Sequence, residues 1–262
     1  MKAKSLVALA VLSTLSLGVN ADSLITVVSQ DVDGSETSKI YVASGKTAAV
    51  NARGQTDFIF DTKKNLAIAL NHDDQQYVHV DAEQMQKMAE GLGQMQQQMQ
   101  SMMEQQMQGM SEEEKAQMRE MMGGLMPGGQ SKEKVSIKET GKSDKINGYN
   151  CKWINLNRGD ELLSEACVVS VKDVDMAEED FATLIGFLDR MSEFASQMGD
   201  NDEMMLNQHL LGKKQVPVQI KDYEDGEIEV STLSFAQKAA PKGVFAIPEG
   251  YQQMKMPEMV DY

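Results

Sequence analysis

The sequence predicts an α+β fold that combines an antiparallel β-sheet with a smaller number of helices. Three observations support this prediction. Short runs rich in Val, Ile, Phe and Tyr recur about every ten residues and are separated by polar turns. A Met- and Gln-rich segment interrupts these runs at about 81–130, and a second segment with helical periodicity follows at 175–199. We therefore expect one domain, 22–262, with a helical insertion at about 81–130.

The strands are predicted from their apolar residues and from the turns between them. In the first half of the chain they lie at 24–28, 39–42, 56–60, 66–70 and 76–80. In the second half they lie at 134–139, 149–156, 161–171, 216–221 and 227–236, and a last short edge segment is expected at 244–251. The pair Asn147-Gly148 is a strong signal for a tight hairpin.

Residues 1–21 have the pattern of a secretory signal peptide. Lys2 and Lys4 precede an apolar run at 6–19, and Val19-Asn20-Ala21 forms a small-residue cleavage site. The expected location is therefore periplasmic or secreted, with Asp22 as the first residue of the mature chain. No later apolar run reaches about 18 residues, so we expect no integral membrane segment after cleavage.

The two cysteines of the chain are expected to form a disulfide, because export places them in an oxidising compartment. Cys151 and Cys167 lie on neighbouring predicted strands that are joined by a polar turn at 157–160. A redox-active pair is the alternative, although such pairs usually have the spacing C-x-x-C. The residues thus favour a structural cross-link between two strands.

The charge and the motifs of the chain argue against several functions. The formal net charge is −15 and the isoelectric point is about 4.6, so phosphate backbones are repelled and nucleic-acid binding is not expected. The three histidines, His72, His79 and His209, are dispersed, and only His72 has acidic neighbours that suggest a weak surface metal site. The chain has neither G-x-S-x-G nor H-E-x-x-H, so we expect a protein that is not an enzyme and has no cofactor.

Methionine is the compositional outlier, and it is concentrated in one segment. Residues 84–110 contain 8 Met and 10 Gln, and the Met residues recur every three to four positions, which is a helical spacing. Three interpretations of this stripe stay open: a structural or disordered helix face, an adaptable face for a hydrophobic ligand or partner, and a site for Cu(I) or Ag(I). The candidate metal ligands are pairs at i, i+3 spacing: Met85, Met88, Met99, Met102, Met107, Met110, Met118 and Met121.

The segment 175–199 is the clearest helix signal in the sequence. Asp175 is expected to cap its start, with Glu178 completing a capping box. Phe181, Ile185 and Leu188 share one apolar face, and Gly199 is expected to end the helix.

Several segments together carry a family resemblance. The most specific is TGKSDKINGYNC at 140–151, and the strands at 39–42 and 58–61, the run 216–218 and the ending FAIPEGY at 245–251 complete the set. In this order they resemble the DUF4412 family of secreted bacterial proteins and, more distantly, the LolA/LolB-type lipoprotein carriers. The resemblance implies a LolA-like antiparallel half-barrel, concave and apolar inside, that is covered by helices.

The combined expectation is a non-enzymatic periplasmic binding protein for a hydrophobic ligand, either a lipid, a lipidated protein or an unfolded client. Sequestration of Cu(I) or Ag(I) by the Met-rich helix is the first alternative. A structural envelope protein that binds a partner through its helices is the second. The residues expected to bind the hydrophobic ligand are Met88, Leu92, Met95, Met99, Met102, Met103, Phe181, Ile185 and Leu188.

Overall fold

The computed structural model describes residues 22–84, 86–87, 91, 94, 98, 101–102, 135–198, 206, 209–210, 212–224 and 226–254. These residues form twelve strands, one continuous α-helix, α1 (Glu178–Met198), and a 3-10 turn at Val171–Asp173. The described positions between 82–84 and 101–102 are also helical, as are those from 206 to 212. The strands are β1 (Ser23–Gln30), β2 (Ser35–Ala43), β3 (Lys46–Val50), β4 (Thr56–Asp61), β5 (Leu66–Asn71), β6 (Gln76–Val80), β7 (Val135–Ile146), β8 (Tyr149–Arg158), β9 (Glu161–Ser170), β10 (Gln215–Glu224), β11 (Glu227–Gln237) and β12 (Gln252–Gln253).

All twelve strands belong to one sheet, in the order β12-β6-β5-β4-β3-β2-β1-β11-β10-β9-β8-β7. Most neighbours are also consecutive in sequence and antiparallel, as in a meander. The two halves of the meander meet where β1 pairs with β11. The two-residue strand β12 adds to β6 in parallel and forms one edge, while β7 forms the other.

The expected half-barrel covered by helices is wrong. The sheet is open, because β12 and β7 stand at opposite ends of the strand order and neither pairs with the other among the described residues. The continuous helix α1 packs mainly near β2 and β3, so it does not cover the twelve-stranded sheet as a whole. The prediction failed because alternating apolar residues specify strands and their buried face, whereas closure depends on edge pairing that this pattern does not encode. No described helix has a stretch long and apolar enough to cross a membrane.

One face of the sheet, which we call the helix face, packs against α1. Phe187 of α1 lies with its ring centroid 5.7 Å from that of Phe58 and 5.5 Å from that of Phe60. Towards the second half of the sheet, Phe181 joins Trp153 and the disulfide in one buried cluster. Helix α1 therefore fastens the two halves of the meander to each other on this side.

The opposite face of β1–β6, which we call the tail face, is covered by the tail segment, residues 240–251. Val244 of this segment is buried against the apolar side chains of β1–β5. Thr56 donates a side-chain hydrogen bond to the Val244 carbonyl oxygen at 3.2 Å, and the Ala240 N–H donates to Asp22 Oδ2 at 2.7 Å. The residues that share this cluster are Leu24, Tyr41, Ala48, Val50, Ile59, Ile68, Leu70, Tyr77, Ala240, Val244, Phe245, Ile247 and Tyr251.

The start of α1 differs from the expected capping box. The helix begins at Glu178, and the Asp175 carboxylate instead accepts a hydrogen bond from the Gln237 N–H at 3.2 Å. The Ala177 N–H, just before the helix, donates to Ser23 Oγ of β1 at 3.2 Å. The capping oxygen is thus supplied by Ser23 of β1, which is distant in sequence, so the local sequence pattern cannot reveal it.

Candidate functional site

Three of the predicted ligand-binding residues lie on α1, and the structure places them in or beside the core. Phe181 is 4% exposed and belongs to the cluster around Trp153. Ile185 and Leu188 are partly buried and pack against the same cluster. These side chains hold α1 on the sheet, so they already have an apolar partner within the chain.

The Met-rich candidates lie almost entirely outside the described residues. Met102 is described, is helical and is 58% exposed. Five members of the predicted ligand set lie outside the described residues: Met88, Leu92, Met95, Met99 and Met103. The predicted metal ligands that fall outside are Met85, Met88, Met99, Met107, Met110, Met118 and Met121, so the metal interpretation stays a prediction.

The predicted disulfide is present and buried. Cys151 and Cys167 are joined at an S–S distance of 2.05 Å and are 1% and 0% exposed. Trp153 pairs with Cys167 across β8 and β9, so Cys151 lies two residues further along the same face. The disulfide therefore links β8 covalently to β9 in the cluster that packs against α1.

A hydrogen-bonded group centred on His72 joins the β5–β6 turn to the tail segment. The Tyr251 hydroxyl lies 2.6 Å from His72 Nδ1, and the Thr56 carbonyl oxygen lies 2.8 Å from Nε2. Because a carbonyl oxygen only accepts, Nε2 carries the proton, and in the neutral ring Nδ1 accepts from the tyrosine hydroxyl. Asp57 Oδ1 lies 3.3 Å from Nε2 and accepts a hydrogen bond from the Asn51 side-chain amide at 2.8 Å. Both ring nitrogens are thus engaged.

This arrangement corrects the suggestion of a surface metal site at His72. Asp57 is the carboxylate that an ion-pair contact places against the ring, at 3.3 Å, while the Asp73 and Asp74 N–H groups donate to Asn71 Oδ1 and shape the turn. Among the described residues no group of three or more His, Cys, Asp or Glu side chains is arranged to hold a metal ion. His72 instead positions Tyr251.

The tail segment, β2 and the β3–β4 turn enclose a cleft of about 500 Å³, which we call the tail cleft. This volume falls within the range of small-molecule sites. Its floor and walls are largely apolar or aromatic, and His72 and Gln55 close one side. The apolar lining residues are Tyr41, Val50, Pro241, Val244, Ala246, Pro248 and Tyr251.

The charges in the tail cleft are unusual for this chain. Lys39 of β2 and Lys242 of the tail segment both line it, and no described Asp or Glu does. The whole chain has 40 acidic residues against 25 Lys and Arg. The lining of the tail cleft is thus positively charged in a chain that is negatively charged as a whole. Neither lysine forms an ion pair within the part of the chain that the structure describes. The cleft can therefore offer two cations and an apolar surface to one ligand.

A second cleft of about 430 Å³ lies on the other side of His72 and Gln55. Its lining is polar and includes Glu36, Asp57 and Asp73 beside Arg53. The His72–Tyr251 group thus stands between an acidic cleft and the lysine-bearing tail cleft. An anionic ligand is favoured only on the lysine side.

Other shifted titratable groups lie away from these clefts. Burial lowers the pKa of His209, and Lys213 lowers it further, while Glu139 acts in the opposite direction. Burial, followed by its hydrogen bond to Glu165 at 2.7 Å, raises the pKa of Tyr223 to about 12. His209 lies in the helical segment from 206 to 212 and Tyr223 lies on β10, and neither residue lines the tail cleft.

Sequence reasoning missed the tail cleft because its residues are far apart in the chain. His72 and Tyr251 are separated by 179 positions, and Lys39 and Lys242 stand on elements that have no shared motif. The one available signal was the Pro-Glu-Gly-Tyr ending at 248–251, whose tyrosine closes the contact with His72.

The structure defines a mainly antiparallel β-sheet protein with a lateral cleft and a buried disulfide. The chain belongs to the family described as "Domain of unknown function (DUF4412)", whose model matches residues 88–251. The match includes three of the segments that carry the family resemblance, 140–151, 216–218 and 245–251, while the other two, 39–42 and 58–61, precede it with the rest of β1–β6.

A crystal structure of an uncharacterized conserved protein from Thermus thermophilus is similar over 90% of this chain and 91% of that chain, with 6% sequence identity and a TM-score of 0.43. No curated protein matches the sequence.

Proposed function

We propose that this protein is a non-enzymatic binding protein of the bacterial envelope or exterior. Its ligand is an amphiphile that has an apolar body and an anionic head, such as a fatty-acid-like carboxylate. The observation that carries the proposal is the tail cleft, which combines an apolar and aromatic lining with two lysines and no described carboxylate. Binding consists of burial of the apolar body, while the lysines pair with the head group.

The hydrogen bonds around the cleft support a preformed site. Tyr251 is held by His72, and the carbonyl oxygen of Val244 accepts a hydrogen bond from Thr56. Two lining residues of the tail segment are therefore fixed before a ligand arrives, which reduces the entropy lost on binding. The tail segment is also anchored at its far end, where the Gln252 N–H donates to the Gln75 carbonyl oxygen at 3.0 Å.

The envelope location rests on the signal-peptide pattern at 1–21, and the disulfide supports it. A buried disulfide such as Cys151–Cys167 persists in the oxidising space outside the cytoplasm. Amphiphilic anions are also abundant where membranes are built and turned over, so the proposed ligand suits this compartment.

The experiment compares an anionic and a neutral fluorescent probe. We use 1-anilinonaphthalene-8-sulfonate as the anionic probe and N-phenyl-1-naphthylamine as the neutral one, with dodecanoate as competitor. The double variant Lys39→Gln/Lys242→Gln is expected to weaken binding of the anionic probe about five- to thirtyfold, because each of the two exposed pairings contributes about 0.5–1 kcal/mol. Affinity for the neutral probe is expected to change less than about twofold.

Two further variants control this comparison. Lys64→Gln/Lys172→Gln removes the same charge from exposed lysines outside the cleft and is expected to leave both affinities unchanged. Ala246→Trp fills the exposed mouth of the cleft and is expected to abolish displaceable binding of both probes. The proposal fails if the two double variants behave alike, or if Ala246→Trp still binds a probe that dodecanoate displaces.

A further inference from the structure

A buried carboxylate lies where α1 meets the first strand. Asp180 is 6% exposed, and its Oδ2 accepts a hydrogen bond from the Ser23 N–H at 3.0 Å. Ser23 is itself 1% exposed. Burial raises the pKa of Asp180, whereas the hydrogen bonds from Ser23 lower it and the nearby charges of Asp22 and Glu179 raise it further. Lys63 lines the same small cleft as Asp180, but no described Lys, Arg or His forms an ion pair with this carboxylate, so its charge is poorly compensated.

The residue before Ser23 is held firmly in place. The Asp22 carbonyl oxygen accepts a hydrogen bond from the Lys238 N–H at 2.7 Å, and its side chain accepts one from the Ala240 N–H at 2.7 Å. Backbone bond lengths put the Asp22 nitrogen within about 4 Å of the Ser23 nitrogen. Since the latter is 3.0 Å from Asp180, the Asp22 nitrogen lies within about 7 Å of the buried carboxylate.

Asp22 is also the first residue after the expected cleavage site, Val19-Asn20-Ala21. A signal peptidase hydrolyses the Ala21–Asp22 peptide bond: the C–N bond breaks, water supplies the second oxygen of the Ala21 carboxylate, and the Asp22 nitrogen becomes an amine. An α-amine has a reference pKa of about 7.7–8.0, so it takes up a proton at neutral pH and becomes cationic. Processing thus creates a positive charge beside a buried carboxylate that has no ion pair among the described residues.

We propose that the α-ammonium group released at Asp22 pairs with Asp180 and fastens the new amino terminus to the start of α1. The pair gives the buried carboxylate the compensation that the uncleaved chain lacks. It also ties β1, the tail segment and α1 together at one point, because Ser23 caps α1 and Asp22 binds Ala240. The mature chain is therefore more stable than the same chain with residues added before Asp22. This inference uses the expected cleavage site and is independent of the tail cleft.

The test compares two proteins made by a fusion protease that leaves a chosen first residue. One begins at Asp22 and the other carries residues 19–21 before it, so that its ammonium group is displaced. We expect the extension to lower the melting temperature by about 3–8 °C, which is less than loss of a fully buried pair causes, because Asp22 is only half-buried. In the Asp180→Asn background the same extension is expected to change the melting temperature by less than about 1 °C.

Glu179→Gln is the matched control, because it removes an equal charge from the neighbouring, exposed position. The full effect of the extension is expected to persist in this variant. An equal melting temperature for the two termini overturns the proposal, and so does an extension effect that survives in Asp180→Asn.

A second measurement covers a failure of Asp180→Asn to fold. The acylation rate of the α-amine in the protein that begins at Asp22 is expected to be at least about fivefold lower in the folded than in the unfolded protein at pH 8, because pairing keeps the amine protonated. Equal rates overturn the proposal. Finally, N-terminal mass spectrometry of the exported protein is expected to find Asp22 first, and a different first residue overturns the proposal for the natural chain while leaving the ligand proposal intact.

Discussion

Removal of the Cys151–Cys167 disulfide offers a quantitative test of how the second half of the sheet is stabilised. The two cysteines are 16 positions apart. The cross-link between them lowers the conformational entropy of the unfolded chain by roughly 10 cal/mol/K. At 25 °C this corresponds to about 3 kcal/mol. The substitutions Cys151→Ala and Cys167→Ala also empty a fully buried position beneath α1, which adds a smaller packing loss. We therefore expect the free energy of unfolding to fall by at least about 3 kcal/mol.

The assay is guanidinium unfolding followed by the fluorescence of Trp153, which is the only tryptophan in the chain and shares the buried cluster with the disulfide. Val169→Ala serves as control, because it removes two methyl groups from the same cluster and keeps the cross-link. This control is expected to lose about 2 kcal/mol and to lose a further 3 kcal/mol on reduction with dithiothreitol. The double alanine variant is expected not to respond to the reductant.

A free energy of unfolding of the double alanine variant within about 1 kcal/mol of that of the oxidised natural protein would contradict this prediction. It is refuted equally if reduction destabilises the double variant as much as it destabilises Val169→Ala. Either result means that the disulfide does not restrict the unfolded chain in the way that its loop length implies.

Three further predictions concern other parts of the molecule. Phe187→Ala is expected to cost about 2–3 kcal/mol in denaturant unfolding, since its ring packs on Phe58 and Phe60 but is only partly buried, and Phe187→Leu is expected to recover most of this loss. Because the pKa of His209 is lowered in the folded state, its contribution to stability is present above about pH 6.5 and is lost as the pH falls below it. His209→Gln is therefore expected to flatten the decline of melting temperature between pH 7 and pH 5, and an unchanged profile contradicts the assignment. Replacement of Met95, Met99 and Met102 by Leu is expected to preserve binding of hydrophobic probes, because Leu keeps the apolar volume. If the thioethers are Cu(I) ligands, the same replacement reduces Cu(I) binding, so full retention of Cu(I) removes the metal hypothesis at these positions.

Ten of the twelve strands follow from alternating apolar residues and polar turns, and the Asn147-Gly148 hairpin is confirmed. Both of its residues have positive φ, 50° and 88°, as a tight two-residue turn requires. Strand β3 was missed because Lys46–Val50 is short and carries alanines, which have low strand propensity. Ala48 is nevertheless fully buried, since its small side chain lets Tyr41 and Ile59 approach on either side.

Strand β7 was predicted too short for a different reason. It forms an edge of the sheet, and its second half is the polar run that reads as a turn. The register shifts between Glu139 and Ser143, where Gly141 has a φ of 72°. A bulged, solvent-exposed edge strand carries no apolar alternation, so its residues do not distinguish it from a turn.

The site was less accessible to sequence reasoning than the fold. The nine expected ligand-binding residues were chosen for apolar helical spacing, and those described on α1 pack against the sheet. The tail cleft instead depends on a hydrogen bond between His72 and Tyr251 and on two lysines from distant segments. Such a site is created by the order of the strands, which brings the tail segment back across β1–β6.

The most direct test of the binding proposal is native mass spectrometry of the protein purified gently from its own envelope. The account predicts a bound acidic amphiphile of several hundred daltons that is released on denaturation, and that is lost from Ala246→Trp and reduced in Lys39→Gln/Lys242→Gln. A bare mass in the natural protein, or a bound species that persists in Ala246→Trp, would contradict it.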